Sequence, residues 1–293
     1  MGRVTPQPLD EAVLRRELVV PGSRWARVRV VAETGSTNTD LVELARAGEP
    51  EGLVLFAENQ RAGRGRLDRS WQAPPGSALT LSVLLRPAGA VPVSRLGWLP
   101  LLTGVAVARA CTAVVADQAA DVQRVIEVGL KWPNDLLVRP SGDADPTRDW
   151  GKCGGILVEV AEPGALVVGI GLNVAQSRAQ LPEPLDPAAP VPTSLRLAGA
   201  VVDRTVLAVA LLRELADGYG RWLDSHGDPV EAGLWQAYRA VCRTLGREVR
   251  VSLPGGEQVA GLASEIDPDG RLVVTTAAGT PRALAAGDVR HVR

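Results

Sequence analysis

Apolar and polar residues alternate along RVRVVAE (Arg27–Glu33), the period-two pattern of a half-buried strand. GLVLFAE (Gly52–Glu58) and SALTLSVLL (Ser77–Leu85) are nearly unbroken apolar runs, which predict buried strands. VGLKWPNDLLV (Val128–Val138) predicts a strand interrupted by a turn at Pro133-Asn134-Asp135. GGILVEVA and ALVVGIGLNVA predict a strand pair hinged at Glu162-Pro163-Gly164. Helical spacing falls over Leu9–Leu18, over DLVELARAG ending at Gly48, over Leu96–Val115 with Pro100 near its first turn, and over about Asp203–Leu223. Strands and helices are mixed without strict βαβ alternation. That order predicts an α+β fold, a mixed or antiparallel sheet with helices packed on one side.

The texture changes after Leu245. REVRVSL, QVAGLASEI, RLVVTTA and DVRHVR are short strands separated by Gly and Pro turns, which predicts a small all-β module. The expected organisation is a large domain over 1–245 and a small β domain over 246–293. An apolar content of 46% is enough to give the larger part a core of its own.

Formal net charge is −1, from 32 basic and 33 acidic side chains. This argues against a nucleic-acid coat or a polybasic membrane anchor, which need a global cationic excess. Three separated cysteines and no CxxC argue against a disulfide framework or a zinc site. The N-terminus is charged where a signal peptide is apolar, and the apolar run Leu96–Ala108 is too short to cross a bilayer. A soluble cytoplasmic protein is the expectation.

Against that neutral background, QRAGRGRLDRSW (residues 60–71) concentrates Arg61, Arg64, Arg66 and Arg69 around Gly63 and Gly65. A solvated surface loop would account for this. So would a ligand-binding loop: the buried strand fixes its start, the glycines let backbone N–H groups approach closely, and guanidinium matches phosphate and carboxylate. The chain has no GxxxxGK[ST], and neither Gly63-x-Gly65 nor GIGLNV completes a dinucleotide fingerprint. Lys131, between Leu130 and Trp132, fits either a solvated strand face or a site at the strand end. Asn134 and Asp135 read most simply as turn formers.

TGSTN (Thr34–Asn38), QRAGRGRLDRSW, GLKWPNDLL (Gly129–Leu137), GKCGGILVE (Gly151–Glu159) and GIGLNV occur in this order, and with them the sequence resembles the biotin–protein ligases over about residues 30–290. The resemblance implies a class II synthetase-like catalytic domain and a C-terminal SH3-like β barrel. It also implies two steps. Biotin's carboxylate attacks the α-phosphate of ATP to give biotinyl-5′-AMP and pyrophosphate. A lysine of a biotin carboxyl carrier domain of a carboxylase then takes the biotinyl group.

Two unit charges 4 Å apart repel by about 1 kcal/mol in water and about 4 kcal/mol at an effective dielectric of 20. Cations between two anionic reactants remove that penalty. By resemblance, Lys131, Arg66 and Arg64 are the catalytic candidates, with Arg66 nearest the α-phosphate and Lys131 between carboxylate and phosphate. Arg66, Arg69, Trp71, Lys131 and Asn173 are the ATP candidates. Trp71 would cover the adenine or simply anchor the loop. Mg²⁺ would arrive on the ATP phosphates, with no protein ligand assigned. The biotin candidates are Ser36, Thr37, Asn38, Gln60, Gly63, Arg64, Gly65, Arg66, Lys131, Gly154 and Gly155. STN would also serve as a helix N-cap through Thr37 or Thr39.

Departures from the family pattern are Cys153-Gly154, Leu67-Asp68 and a long Pro140–Lys152 connection. Only 35 residues precede Ser36, too few for the winged-helix module of bifunctional members, so no DNA partner is expected. Monomer and homodimer both stay open. The rivals are lipoate or octanoate transfer on the same fold, whose RRxSGGG stretch is absent, and a non-catalytic nucleic-acid-binding module built on the arginine loop.

Overall fold

The apolar runs become the centre of a seven-stranded sheet. In a computed structural model of the chain, residues 7–67, 69–87, 89–118, 126–141, 150–184 and 189–292 are described. Asp68 and most of the Pro140–Lys152 connection lie outside them. The strands are β1 (Arg27–Val31), β2 (Leu53–Ala57), β3 (Ala78–Leu85), β4 (Ile126–Lys131), β5 (Asp135–Pro140), β6 (Gly151–Glu162) and β7 (Ala165–Asn173), in the order β1-β2-β3-β7-β6-β5-β4. The β1–β2 pair is parallel and every other pair antiparallel. Each residue of β2, β3 and β7 is buried, as strands covered on both faces must be.

The two faces are covered differently. Val54, Phe56, Leu81, Val83, Val168, Ile170 and Leu172 share one cluster with α1 (Glu11–Leu18), α3 (Leu99–Gln118), α4 (Arg204–Asp224) and α5 (Leu234–Val241). The helices expected on one side are these. On the opposite face, α2 (Thr37–Arg46) lays Leu41 and Ala45 over Leu53, Leu55, Leu84 and Val167. It covers only part of that face, and the remainder forms the floor of a cavity.

Helix ends follow their capping residues. Ser36 caps α2 by accepting from the Thr39 N–H, so this helix begins before the expected Asp40, with Ser36 rather than Thr37 or Thr39 as its cap. Asp203 accepts from the Thr205 and Val206 N–H groups at 2.7 and 3.0 Å and starts α4 where the sequence places it. A 3-10 turn (Val93–Trp98) precedes α3, and Pro100 is the second residue of the helix, where its missing N–H has no partner to lose. α3 is long and apolar enough to match a membrane span, but it lies packed between α4 and the sheet. No element was expected at α5. It follows Gly233, at φ 70°, and has no side-chain cap, so the usual start signal is missing.

The C-terminal strands β8 (Glu248–Ser252), β9 (Gln258–Ile266), β10 (Leu272–Thr275), β11 (Pro281–Leu284) and β12 (Asp288–His291) form an antiparallel sheet in the order β11-β10-β9-β8-β12. Three indoles fasten it to the larger part. Trp98, Trp132 and Trp235 donate their Nε1–H to the carbonyls of Pro268, Gly270 and Ile266 at 2.9, 3.2 and 3.0 Å. A buried indole needs such an acceptor, so burial and orientation are set together. The docking brings the start of β12 to the cavity rim.

Candidate active site

Glycines on alternate positions of β7 make the cavity possible. Gly169 and Gly171 point to the face that α2 leaves open, opposite Ser82 and Thr80 on β3 and opposite Leu157 and Gly155 on β6. A Cβ at Gly171 would lie 2.5 Å from the Trp71 indole, and one at Gly169 would strike the Asn38 amide. Among the described residues, nothing stands within 4 Å of where a Gly155 Cβ would be. The resulting cavity is about 540 Å³.

Polar groups at one end bind one another before any ligand enters. Gln60 Oε1 accepts from the Thr37 backbone N–H at 2.8 Å and from its hydroxyl at 3.1 Å. Ser82 Oγ lies 2.7 Å from Thr37 Oγ1 and 2.6 Å from Asn38 Oδ1. Asn38 Nδ2 donates to Glu159 at 2.8 Å. Ser36, Thr37 and Asn38 are buried, and all three line the cavity with Gln60.

The arginine loop folds back as a small hairpin. Trp71 N–H donates to Gly63 O at 2.8 Å and Gly65 N–H to Arg69 O at 2.7 Å. Leu67 takes φ 54° at the tip. A Cβ at Gly63 would collide with the Trp71 carbonyl, so Gly63 serves the crossing of the loop on itself and does not line the cavity. Gly65 does line it. Three arginines tie the loop to β6, to the β4–β5 turn and to β12. Arg64 pairs with Glu159 on β6 at 3.0 Å, Arg66 donates to Asn134 Oδ1 at 3.1 Å, and Arg69 pairs with Asp288 on β12 at 2.6 Å. Arg61 instead pairs with Glu33, 3.3 Å away.

Lys131 ends β4 with its ammonium buried, 3.7 Å from Asp135. Asp135 also receives Lys152 at 2.6 Å. Burial lowers the Lys131 pKa; Asp135 and Asp288 oppose the shift, while Lys152 and Arg69 add to it. Burial likewise lowers that of Arg66, against the pull of Asp135 and Asp288. For Asp135, burial acts to raise the pKa, but the Lys152 and Lys131 charges and the Lys152 hydrogen bond prevail and hold it below the usual carboxylate value.

Trp71 rests on Gly171 with its Nε1–H buried and, among the described residues, without a partner. Asn173 lines the cavity, donates to Thr193 O and accepts from Gln176, both at 2.9 Å. Gly154 is turned to the helix-covered face, where its Cβ would meet Leu172 at 3.2 Å. Of the expected glycine pair, only Gly155 lies on the cavity wall.

Asp135, Asn134, Lys152, Ser82, Glu159 and Asp288 were not among the expected site residues. Lys152 and Glu159 sit within the GKCGGILVE stretch, and Gly169-x-Gly171 carries the period-two spacing that places both on one face. Asp288 comes from a separate sheet and left no signal in the sequence.

Among the described residues, six cations line the cavity (Arg64, Arg66, Arg69, Lys131, Lys152, Arg290) against three carboxylates (Asp135, Glu183, Asp288). A compact polar cluster, a set of cations and an arginine loop lining one cavity suit an enzyme that brings two anionic reactants together. The comparisons with known proteins agree. Residues 30–176 match the Biotin/lipoate A/B protein ligase family, and residues 244–292 match the Biotin protein ligase C terminal domain. The chain is 43% identical to the biotin–[acetyl-CoA-carboxylase] ligase of Mycobacterium tuberculosis over 98% of its length and 97% of that protein. It is 31% identical to the bifunctional ligase/repressor BirA of Bacillus subtilis, over 86% of the chain and 70% of that protein. A solved structure, the biotin protein ligase from Aquifex aeolicus in complex with biotin and ATP, shares the fold at a TM-score of 0.70 and 24% identity, covering 92% of this chain and all of that one. The chain belongs to the biotin protein ligase family.

Proposed function

We propose that the chain activates biotin with ATP and transfers the biotinyl group to a lysine of a biotin carboxyl carrier domain. The observation that carries this reading is one cavity lined both by the buried Lys131 ammonium with Arg66 and by the Ser36–Thr37–Asn38–Gln60 cluster. The ureido head has donors and an acceptor for that cluster. Gly155, Gly169 and Gly171 leave a bare floor for the apolar rings. The carboxylate then lies toward Lys131, beside the α-phosphate.

A carboxylate oxygen attacks the α-phosphorus, the bond to the bridging oxygen breaks, and pyrophosphate leaves with the electron pair. Lys131 and Arg66 neutralise both anions as they approach. Arg64 binds on the biotin side, and Arg69 takes the outer phosphates once these replace Asp288. Trp71 and Asn173 flank the nucleotide, with Trp71 offering a ring face and an N–H that has no acceptor among the described residues. Mg²⁺ carried on the ATP phosphates would supply further charge neutralisation there. In the second step the carrier amine attacks the acyl carbon, a C–N bond forms as the acyl C–O bond breaks, AMP leaves with the electron pair, and the amine's proton passes to the departing phosphate or to water. The flap keeps water from the mixed anhydride.

Three buried, unpaired cysteines fit a reducing cytoplasm. The self-contained sheet β8–β12 supports a domain division at residue 245. The match of residues 244–292 to the Biotin protein ligase C terminal domain, together with the Mycobacterium tuberculosis relative, favours biotin over lipoate. The test is incubation with ATP, Mg²⁺, equal biotin and lipoate, and a carboxylase carrier domain, read by mass spectrometry. One biotinyl group per carrier is expected. No addition, or addition of lipoate in preference to biotin, would overturn the reading.

A further inference from the structure

The Asn38 amide spans a gap in the sheet. Leu157 on β6 is opposite Gly169 on β7, and Gly169 is opposite Ser82 on β3. A Cβ at Gly169 would strike that amide, so the bare backbone there lets Asn38 reach from Ser82 to β6. Asn38 Nδ2 donates to one Glu159 oxygen at 2.8 Å and to Leu157 O at 3.3 Å. Asn38 Oδ1 lies 2.6 Å from Ser82 Oγ. The other Glu159 oxygen pairs with Arg64 at 3.0 Å. Glu159 thus serves the arginine loop and the Asn38 cluster with one oxygen each.

The protons give this chain of contacts a direction. A carboxylate and a carbonyl only accept, so the Asn38 atom that faces Glu159 and Leu157 O is its NH₂, and Oδ1 is left for Ser82. Oδ1 carries no proton, so Ser82 supplies the one between them. Ser82 then has none for Thr37 Oγ1, 2.7 Å away. The Thr37 hydroxyl proton is therefore shared between Ser82 Oγ and Gln60 Oε1, the latter at 3.1 Å. Asn38 and Ser82 are buried, where an unmade hydrogen bond is costly, so the order does not reverse freely. What Thr37 keeps for a ligand is a lone pair.

Resting on the reading of the Ser36–Thr37–Asn38–Gln60 cluster as the ureido site, we propose that Glu159 is a positioning residue that sets ligand specificity. Acting through Asn38 and Ser82, it fixes Thr37 Oγ1 as an acceptor and so selects a ligand that brings an N–H to it. A cyclic urea meets that acceptor. A cyclic carbamate, with a ring oxygen in place of the N–H, sets lone pairs against each other. The residue type matters because two donors converge on it. A carboxylate has an acceptor for both Arg64 and Asn38, whereas the amide of glutamine has a single acceptor oxygen. In Glu159→Gln, Arg64 holds that oxygen through a charge-assisted bond, and the new NH₂ faces Asn38. The Asn38 amide then turns over, with Oδ1 toward residue 159 and Nδ2 toward Ser82, giving up the longer bond to Leu157 O. Ser82 in turn donates to Thr37. The Thr37 proton, no longer needed by Ser82, can turn to the ligand, and a ring oxygen there is no longer rejected.

The test compares biotin with its two cyclic carbamate analogues, each with a ring oxygen in place of one ureido N–H, by isothermal titration calorimetry without ATP. Wild-type protein should bind biotin about 10²-fold more tightly than the analogue that lacks the N–H facing Thr37. In Glu159→Gln, biotin should bind more weakly and that ratio should shrink by about tenfold or more. Arg64→Ala leaves Glu159 to Asn38, so it should weaken biotin and keep the ratio. Thr37→Val keeps the shape and removes the acceptor, so it should abolish the ratio. A purely structural role for Glu159 would weaken both ligands equally. A ratio unchanged in Glu159→Gln, or a wild-type protein indifferent to the ring oxygen, would overturn the assignment. Should Glu159→Gln fail to fold, a crystal structure of the wild-type protein with biotin decides. A ureido N–H within hydrogen-bond distance of Thr37 Oγ1 is expected there, and the ureido oxygen in that place would overturn the assignment. Wild-type protein that binds no biotin would remove the proposed function and this inference with it; biotin binding with an unchanged ratio would remove the inference alone.

Discussion

The two faces of the seven-stranded sheet solve opposite problems with the same strands. Toward α3 and α4 the strands present Val54, Phe56, Val83 and Ile170, and the helices answer with Leu102, Leu211, Leu212 and Leu215. Each of these contacts is apolar and replaceable by its neighbours. Toward the cavity the same strands present Gly169, Gly171, Thr80, Ser82, Gly155 and Asp135, and what answers them is an arginine flap and two lysines, buried Lys131 and half-buried Lys152. The first face stabilises by removing area from water, which tolerates variation. The second holds charges out of water for a reaction, where one missing partner leaves another uncompensated. The comparison therefore predicts that substitutions on the helix face change stability and leave rates alone, and that substitutions on the cavity face do the reverse.

The largest separation is expected at Lys131. Lys131→Ala should reduce biotin-dependent ATP–pyrophosphate exchange by about 10²–10³-fold, the effect of losing one preorganised charge at the transition state. Asp135 keeps Lys152 as its partner, so thermal unfolding should stay close to wild type. Exchange at the wild-type rate would show that the lysine is only structural. Leu212→Ala supplies the opposite case. Leu212 is fully buried in α4, and truncation should lower stability by about 3 kcal/mol with the exchange rate per folded molecule unchanged. A kinetic defect at Leu212 comparable to its stability loss would mean that the two faces are coupled.

The same division governs what could be read from the sequence. The helix face follows period and capping alone: GLVLFAE and SALTLSVLL are strands because both of their faces are apolar, and Asp203 starts α4 because its carboxylate can accept two N–H groups. The cavity face was legible only in part. The arginine loop, Lys131 and the STN cluster stood out by type and spacing, and a family resemblance gave them roles. Asp135 was read as a turn former, since nothing in PND shows that Lys152 returns to it from β6. Asp288 was invisible for the same reason, because its contact with Arg69 depends on how a second sheet docks. Gly154 and Gly155 look alike in sequence, and pleating alone decides that one faces Leu172 and the other the cavity. Helix α5 was missed because it lacks a side-chain cap.

A finer test of the cavity face is Gly171→Ala. The added methyl would lie 2.5 Å from the Trp71 indole, so the ring must move off β7. Because Trp71 ends the flap, its hydrogen bond to Gly63 and the approach of Arg69 should both be disturbed. The expected outcome is a loss of about tenfold in exchange rate. A second change, Trp71→Ala, makes room for the methyl; the double variant should therefore be no slower than Trp71→Ala alone. Equal additive losses would show that Gly171 acts on the ligand directly and not through the indole.

The smallest effect at neutral pH concerns His291, where the C-terminal sheet meets the cavity. Burial, then the charges of Lys131 and Arg247, lowers its pKa to about 4, and its Nε2 lies 3.3 Å from Thr244 Oγ1. The folded protein therefore binds this proton less tightly than the unfolded chain, whose histidines titrate near 6.5. The sign follows from linkage: the neutral ring is compatible with folding above about pH 6.5, stability is lost as pH falls from there toward about 4, and the contribution is flat below. His291→Gln retains a polar group beside Thr244 but has no proton to take up. It should leave the melting temperature at pH 7.5 nearly unchanged and reduce the drop between pH 7.5 and pH 5. A variant whose melting temperature falls with pH as steeply as wild type would show that the acid sensitivity arises elsewhere. In that case the charged boundary between the two sheets would behave like the helix face, indifferent to protonation.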